Sequence, residues 1–251
     1  MRFLVSNDDG IQSKGLCVLV QLLSKYGEVT VVAPQSQQSA KSSSLTLSTP
    51  VIPIEVCFQG AAKAYEVLGT PVDCVKLGIE QLMAIPPDWV ITGINIGDNY
   101  GQYVYYSGTF GAACEGALNN IPSLAISASK NDKGLIDYDE IMEQLRYIIS
   151  RIINQSTNPN IIYNINLKSD NTKNADSIKI CPLNTTQQRF KFCEYLSPKG
   201  QKVYWLNRDD KYCSDDSDLY WGLQGYTTIS PIRFQSSNSE DLSLIEKNFD
   251  I

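Results

Sequence analysis

The chain contains no histidine in 251 residues. That absence excludes Ser-His-Asp and Cys-His nucleophilic systems, zincin motifs and every histidine-ligated metal site. Acid–base or metal chemistry must then use carboxylates, amides, hydroxyls or cysteine. Cysteine is poorly arranged for metal work, because none of Cys17, Cys57, Cys74, Cys114, Cys181, Cys193 and Cys213 forms a C-x-x-C pair. Their odd number, with several set among apolar residues, points to reduced thiols in a cytoplasmic protein rather than a disulfide framework. No apolar run reaches the ~18 residues of a membrane span, and an apolar strand starting at residue 2 leaves no signal peptide. No G-x-G-x-x-G fingerprint follows the first strand, which counts against a dinucleotide-dependent oxidoreductase. Basic residues are outnumbered, 21 against 27, for a formal charge of -6 and a pI near 4.8. This argues against a nucleic-acid polymer or an anionic membrane as partner. A small anionic substrate stays open, because local donors and a metal can outweigh net charge.

What is present is an α/β pattern. Apolar residues make up 43% of the chain, enough for one large domain with an appendage. Residues 2–6 read as a buried strand, a helical pattern follows to about residue 26, and residues 28–33 form a second strand stopped by Pro34. Strand, helix and strand so closely spaced imply a parallel pair with a right-handed crossover. Residues 51–58 and 65–68 read as two further strands joined by a turn. Residues 70–83 read as a helix with Thr70 as N-cap and Pro71 in its first turn. Core strands are expected at 88–94, 123–127 and 161–167, and helices at 110–119 and 138–153. The 110–119 helix has one face of very small residues, suited to lying close on a sheet. From about Lys168 the helical periodicity fades and the apolar segments shorten. Residues 1–168 are therefore expected to form the catalytic core, and residues 169–251 an extension of hairpins and arms that serves oligomerisation. Within that extension, Tyr204-Trp205 and residues 226–232 read as strands, separated by a charged loop, Arg208-Asp209-Asp210-Lys211.

The candidate site lies where strands end. Asn7-Asp8-Asp9-Gly10 follows the first strand, and the rim at the carboxyl ends of parallel strands is where α/β sheets bind ligands. Ser39 lies in a polar stretch after the second strand, Asn95 follows a core strand, and Ser107-Gly108-Thr109 opens a helix. Taken singly, each has an ordinary reading as a capped turn, linker, Asx-turn or helix cap. Taken together, Asp8, Asp9, Ser39 and Asn95 supply only hard oxygen donors, which suit Mg²⁺, Mn²⁺ or Ca²⁺. Ser107 to Thr109 offers hydroxyls and backbone N–H groups to an anion at a helix start. A divalent ion beside an anion site is the layout of metal-assisted phosphate-ester hydrolysis, with a metal-activated water replacing histidine.

Several long motifs, in order, resemble the SurE (survival protein E) family of nucleotidases. They are Ser6-Asn7-Asp8-Asp9-Gly10-Ile11, Val31-Val32-Ala33-Pro34 with Ser39 and Ser44-Leu45-Thr46-Leu47, and Gly69-Thr70-Pro71-Val72-Asp73-Cys74-Val75. Further along come Gly93-Ile94-Asn95-Ile96-Gly97-Asp98-Asn99, Tyr106-Ser107-Gly108-Thr109-Phe110-Gly111-Ala112-Ala113 with Glu115-Gly116-Ala117, Asn164-Ile165-Asn166-Leu167, and Gly225-Tyr226-Thr227-Thr228-Ile229-Ser230-Pro231. The resemblance implies a Rossmann-like, mainly parallel sheet with helices on both faces and a C-terminal arm exchanged within homodimers or homotetramers. It implies metal-dependent hydrolysis of nucleoside 5′- and 3′-monophosphates, with short polyphosphate as a further substrate. One Mg²⁺ or Mn²⁺ per subunit would be held by Asp8, Asp9, Ser39 and Asn95, with Asp8, Asp9 and Asn95 catalytic. Asn99, Ser107, Gly108 and Thr109 would border the substrate phosphate. The chain departs from many members in carrying Ser43 where they have histidine, and in its Leu196-Ser197-Pro198-Lys199-Gly200 segment. A Mg²⁺-binding receiver module is the alternative. It needs an acceptor Asp at the end of its third strand, where this chain has Thr92-Gly93-Ile94-Asn95, and the chain is about twice too long for one.

Overall fold

The structure, a computed structural model, describes residues 1–131, 133–155, 158–168, 177–186, 189–209 and 213–233. The first crossover unit is β1 (Arg2–Ser6), α1 (Lys14–Leu23) and β2 (Glu28–Pro34). α1 stops three residues short of the expected end, and a turn in which the Tyr26 amide donates to the Leu23 carbonyl follows it. β3 (Ile52–Glu55) and β4 (Lys63–Leu68) form an antiparallel pair. α2 (Pro71–Leu77) begins with a capping box in which Thr70 and Asp73 satisfy each other's backbone amides, then widens into a π turn over Gly78–Leu82. β5 (Trp89–Ile96), α3 (Gly108–Leu118), β6 (Ser123–Ala128), α4 (Tyr138–Ile152) and β7 (Ile161–Leu167) continue the alternation.

β1 pairs in parallel with β2 on one side and β5 on the other; β6 and β7 extend the sheet beyond β5, and β4 lies outside β2. The central strands read as near-continuous apolar runs because helices cover both faces. One face packs under α1 and α4, through residues such as Leu16, Leu19, Ile141 and Leu145. The other packs under α2 and α3, through Cys74, Val75, Phe110 and Ala113. The sheet is thus a mainly parallel α/β sheet with helices on both faces, as the sequence suggests. The direction of strand addition reverses between β1 and β5, which places the ligand crevice at their carboxyl ends.

Beyond β7 the chain divides in two. β8 (Ile178–Ile180), α5 (Asp218–Leu223) and β11 (Thr227–Arg233) join the main body, with β11 antiparallel to β7 and β8 parallel to β11, for nine strands in all. β9 (Arg189–Leu196) and β10 (Lys202–Asp209) form a separate antiparallel hairpin. The sequence had suggested only strands and loops here. α5 is short, and its fixing contact is distant: Asp218 accepts hydrogen bonds from the amides of Gly101 and Asn184 at 2.8 and 2.7 Å. Arg208 and Asp209, expected in a loop, end β10; Asp210 and Lys211 lie outside the described residues.

Candidate active site

The turn after β1 is built by Asn7. Its side-chain amide donates to the Gly10 carbonyl at 2.9 Å and to Ser13 Oγ at 2.7 Å, while Ser13 caps α1. Asp8 and Asp9 are held between strand and helix, and they face different neighbours. Asp8 is 3% exposed. Its Oδ1 accepts a short hydrogen bond from the Thr109 hydroxyl, and the Thr109 amide also donates to its carboxylate. Burial, opposed by the Thr109 hydroxyl and reinforced by the charge of Asp9, pushes the Asp8 carboxyl up to about 6. Asp9 is partly exposed and accepts from the Ile96 amide at 3.0 Å. Burial raises its carboxyl too, against the pull of the Ile96 amide and the Lys130 charge.

α3 begins against Asp8. A methyl group on Gly108 would lie 2.9 Å from Asp8 Cβ and 3.1 Å from its Oδ2, so this approach requires glycine. Ser107 is the N-cap, its hydroxyl accepting from the Phe110 amide at 3.1 Å. Asn95 follows an irregularity in the β5–β6 register. Its Nδ2 donates to the Gly97 carbonyl at 2.6 Å, a bond that does not use Oδ1. Ser39 is exposed and accepts from Gln37 Nε2 at 3.0 Å. The loop carrying it, which reads in sequence as a linker, is tied down. The Gln38 amide donates to the Asp8 carbonyl, the Ser42 amide and hydroxyl donate to the Tyr106 and Tyr105 carbonyls, and Thr46 donates to Asp73.

Asn99 is held by a buried polar ladder. Its amide donates to Asn166 Oδ1 at 2.7 Å, its Nδ2 donates to Ser127 Oγ at 2.8 Å, and its carbonyl accepts from Asn164 Nδ2 at 2.9 Å. The Asn164-Ile165-Asn166 motif therefore positions the Asn99 loop.

Asp8, Ser39, Asn95, Asn99 and Ser107 line one open pocket of about 190 Å³. Asp9, Gly108 and Thr109 are not among its lining residues and act through their neighbours: Asp9 on Ile96, Gly108 and Thr109 on Asp8. The sequence reading missed the opposite wall, formed by Tyr103, Tyr106, Phe190 and Arg208. A run of aromatic residues from Tyr100 to Tyr106 was its only signal. Among the described residues no group of three or more histidine, cysteine or acidic side chains could hold a metal. A cation in this pocket would meet the Asp8 carboxylate, the Asn95 amide and the Ser39 hydroxyl, with Asp9 next to Asp8 in the chain. That donor set fits Mg²⁺ or Mn²⁺, and the buried Asp8 carboxyl, unfavourably ionised as it stands, would be stabilised by a cation.

A family profile described as Survival protein SurE matches residues 3–190. The 5′-nucleotidase SurE of Clostridium botulinum (strain Kyoto / Type A2) is 34% identical over 252 residues, covering 99% of both chains. That of strain Eklund 17B / Type B is 36% identical over 256 residues, covering both chains fully. The crystal structure of the SurE protein from Aquifex aeolicus superposes with a TM-score of 0.84 at 30% identity over all of both chains.

Proposed function

The chain belongs to the survival protein SurE family, and from that premise we propose that it is a divalent-metal-dependent phosphoric monoester hydrolase acting on nucleoside 5′- and 3′-monophosphates. One observation carries the reading. Asp8, Ser39, Asn95, Asn99 and Ser107, drawn from four separate rim segments, line a single pocket at the switch point of the sheet. The names of the relatives, 5′-nucleotidase SurE, supply the substrate class.

Asp8, Asp9, Ser39 and Asn95 would hold one Mg²⁺ or Mn²⁺ per subunit. When bound, such an ion supplies Lewis-acid polarisation of the phosphoryl group and lowers the pKa of water. The protein supplies position. Thr109 fixes the Asp8 carboxylate through its hydroxyl and amide, and the Ile96 amide fixes Asp9. Of the two carboxylates only Asp8 lines the pocket, so Asp8 would contact the ion and take the proton of the attacking water, while Asp9, held by the Ile96 amide, would complete the ligand set from beside it. The water oxygen bonds to phosphorus as the ester P–O bond breaks. The nucleoside leaves as an alcohol protonated from solvent, since the chain has no histidine to serve as acid. Asn99 and Ser107 line the pocket where the phosphoryl oxygens would lie, with Gly108 and Thr109 behind them against Asp8. Short polyphosphate shares that terminal group and is a further substrate.

All seven cysteines are free, which fits a reducing, cytoplasmic setting; no described helix is long and apolar enough to cross a membrane. The exposed apolar side chains of β9 and β10 support assembly of copies of the chain, as a homodimer or homotetramer, through residues 169–251. The test is phosphate release from AMP, GMP, 3′-AMP and polyphosphate, with chelator and after Mn²⁺ is restored. Release from the nucleotides that stops with chelator and returns with Mn²⁺ is expected. Turnover unaffected by chelator would refute the metal claim, and no release from any ester would refute the hydrolase.

A further inference from the structure

We infer that the hairpin wall of the pocket is a stacking subsite for the nucleobase, with Arg208 and Phe190 as residues that distinguish nucleotides from base-free phosphate esters. The inference rests on the nucleotidase reading and goes beyond its phosphate end. Arg208 and Phe190 are directly opposite each other in the β9–β10 register, so both side chains leave the same face of the hairpin. Both line the pocket that Asp8, Asn95 and Ser107 line from the other side.

The guanidinium is held in place from two sides. Its carbon lies 4.0 Å from the Tyr103 ring centroid, and Nη1 is bound to Asp98 Oδ1 at 2.6 Å. Tyr103 packs against it and Asp98 anchors one nitrogen, while the side chain keeps about a third of its surface, 33%, exposed. Phe190 packs at 4.8 Å on Tyr103 and edge-on at 5.3 Å to Tyr106. Phe190 and Tyr106 keep 38% and 53% of their surface exposed. A guanidinium anchored in place beside two exposed rings offers planar groups on which a base can stack. Asp98 neutralises the Arg208 charge, which suits this wall to a flat uncharged ring rather than a second phosphate. The pocket, at about 190 Å³, is small for a whole nucleotide, so the phosphate sits at the carboxylate end and the base at the mouth.

The test uses the full chain with Mn²⁺ and compares Phe190→Ala, Arg208→Ala and Arg208→Lys with wild type. Two readouts are taken: the ratio of kcat/KM for AMP to that for ribose 5-phosphate, and calorimetric binding of adenosine. Each substitution should lower the ratio about tenfold, through KM for AMP, and weaken adenosine binding by a similar factor. Arg208→Lys keeps the charge and loses the plane, so it should behave like Arg208→Ala. Equal losses on both esters would show a merely structural wall and overturn the inference, as would an unchanged ratio with unchanged adenosine binding. If wild type hydrolysed neither ester the nucleotidase reading would fall, and adenosine binding would still decide whether this wall takes a base.

Discussion

Two regions of the chain face the same pocket and are built in opposite ways. The rim that carries Asp8 and Asn95 stands on β1, β5 and β6, whose residues from Val90 to Ile94 and from Ser123 to Ala128 are buried. The hairpin that carries Phe190 and Arg208 leaves Phe192, Leu196, Tyr204 and Trp205 more than half exposed, at 66%, 69%, 58% and 69%. The rim holds charge in fixed places because every supporting side chain is packed or hydrogen-bonded, Asp8 by Thr109 and Asn99 by Asn166. The hairpin touches the rim at its base, and its own chain leaves much of its apolar surface uncovered. On the proposed reading, the groups that would meet the reacting phosphate lie on the well-packed part, and those that would meet the rest of the substrate lie on the less supported part.

Substitution at the rim should have the largest effect. Asp8→Asn is expected to lower AMP hydrolysis by about 100-fold or more, ~3 kcal/mol in the barrier, in steady-state assays with Mn²⁺. The same variant should not lower the melting temperature of the metal-free protein, because it removes a buried carboxylate that burial disfavours. A variant that stayed active, or that lost activity only by unfolding, would remove the contrast.

The second prediction applies one substitution to both regions. Gly108→Ala forces a methyl group against Asp8 and should cost about 1–3 kcal/mol of stability, together with about tenfold or more in kcat. Gly200→Ala, at the hairpin tip, has nothing within 4 Å of the added methyl but a φ of +78°. It should cost about 1–2 kcal/mol through left-handed strain alone and leave AMP turnover within about twofold. Equal kinetic effects would show that the two regions are not mechanically distinct.

The smallest local effect is expected at Trp205. Trp205→Ser on an exposed strand should change the stability of the isolated subunit by no more than about 0.5 kcal/mol. Sedimentation should show a smaller assembly than wild type, because this side of the hairpin is the proposed contact between copies. An unchanged sedimentation coefficient would place that contact elsewhere.

The same contrast explains what could be read from the sequence. β1, β2, β5, β6 and β7 announce themselves as buried apolar runs bounded by Gly, Pro and Asn, and their parallel order puts Asp8, Ser39 and Asn95 on one rim. The N-caps Thr70 and Ser107 are equally local signals. β11 was legible as a strand at residues 226–232, but β8 and α5 are different, because their places depend on distant contacts such as Asp218 with Gly101, across 117 positions of sequence. Arg208 had no local mark of function, since a charged segment in a polar region reads as a solvated loop. Its place depends on Tyr103 and Asp98, 105 and 110 positions earlier. The difference between Asp8 and Asp9 also escaped the sequence: adjacent carboxylates look alike until Thr109 claims one and Ile96 the other.

The central claim is that the rim binds one divalent ion through Asp8 and its oxygen-donor neighbours. Calorimetric titration of Mn²⁺ into the metal-free protein tests it most directly. One ion per chain should bind to wild type, and Asp8→Asn should abolish that binding or weaken it about 100-fold or more. Mn²⁺ binding of equal strength and stoichiometry in the two proteins would contradict the account.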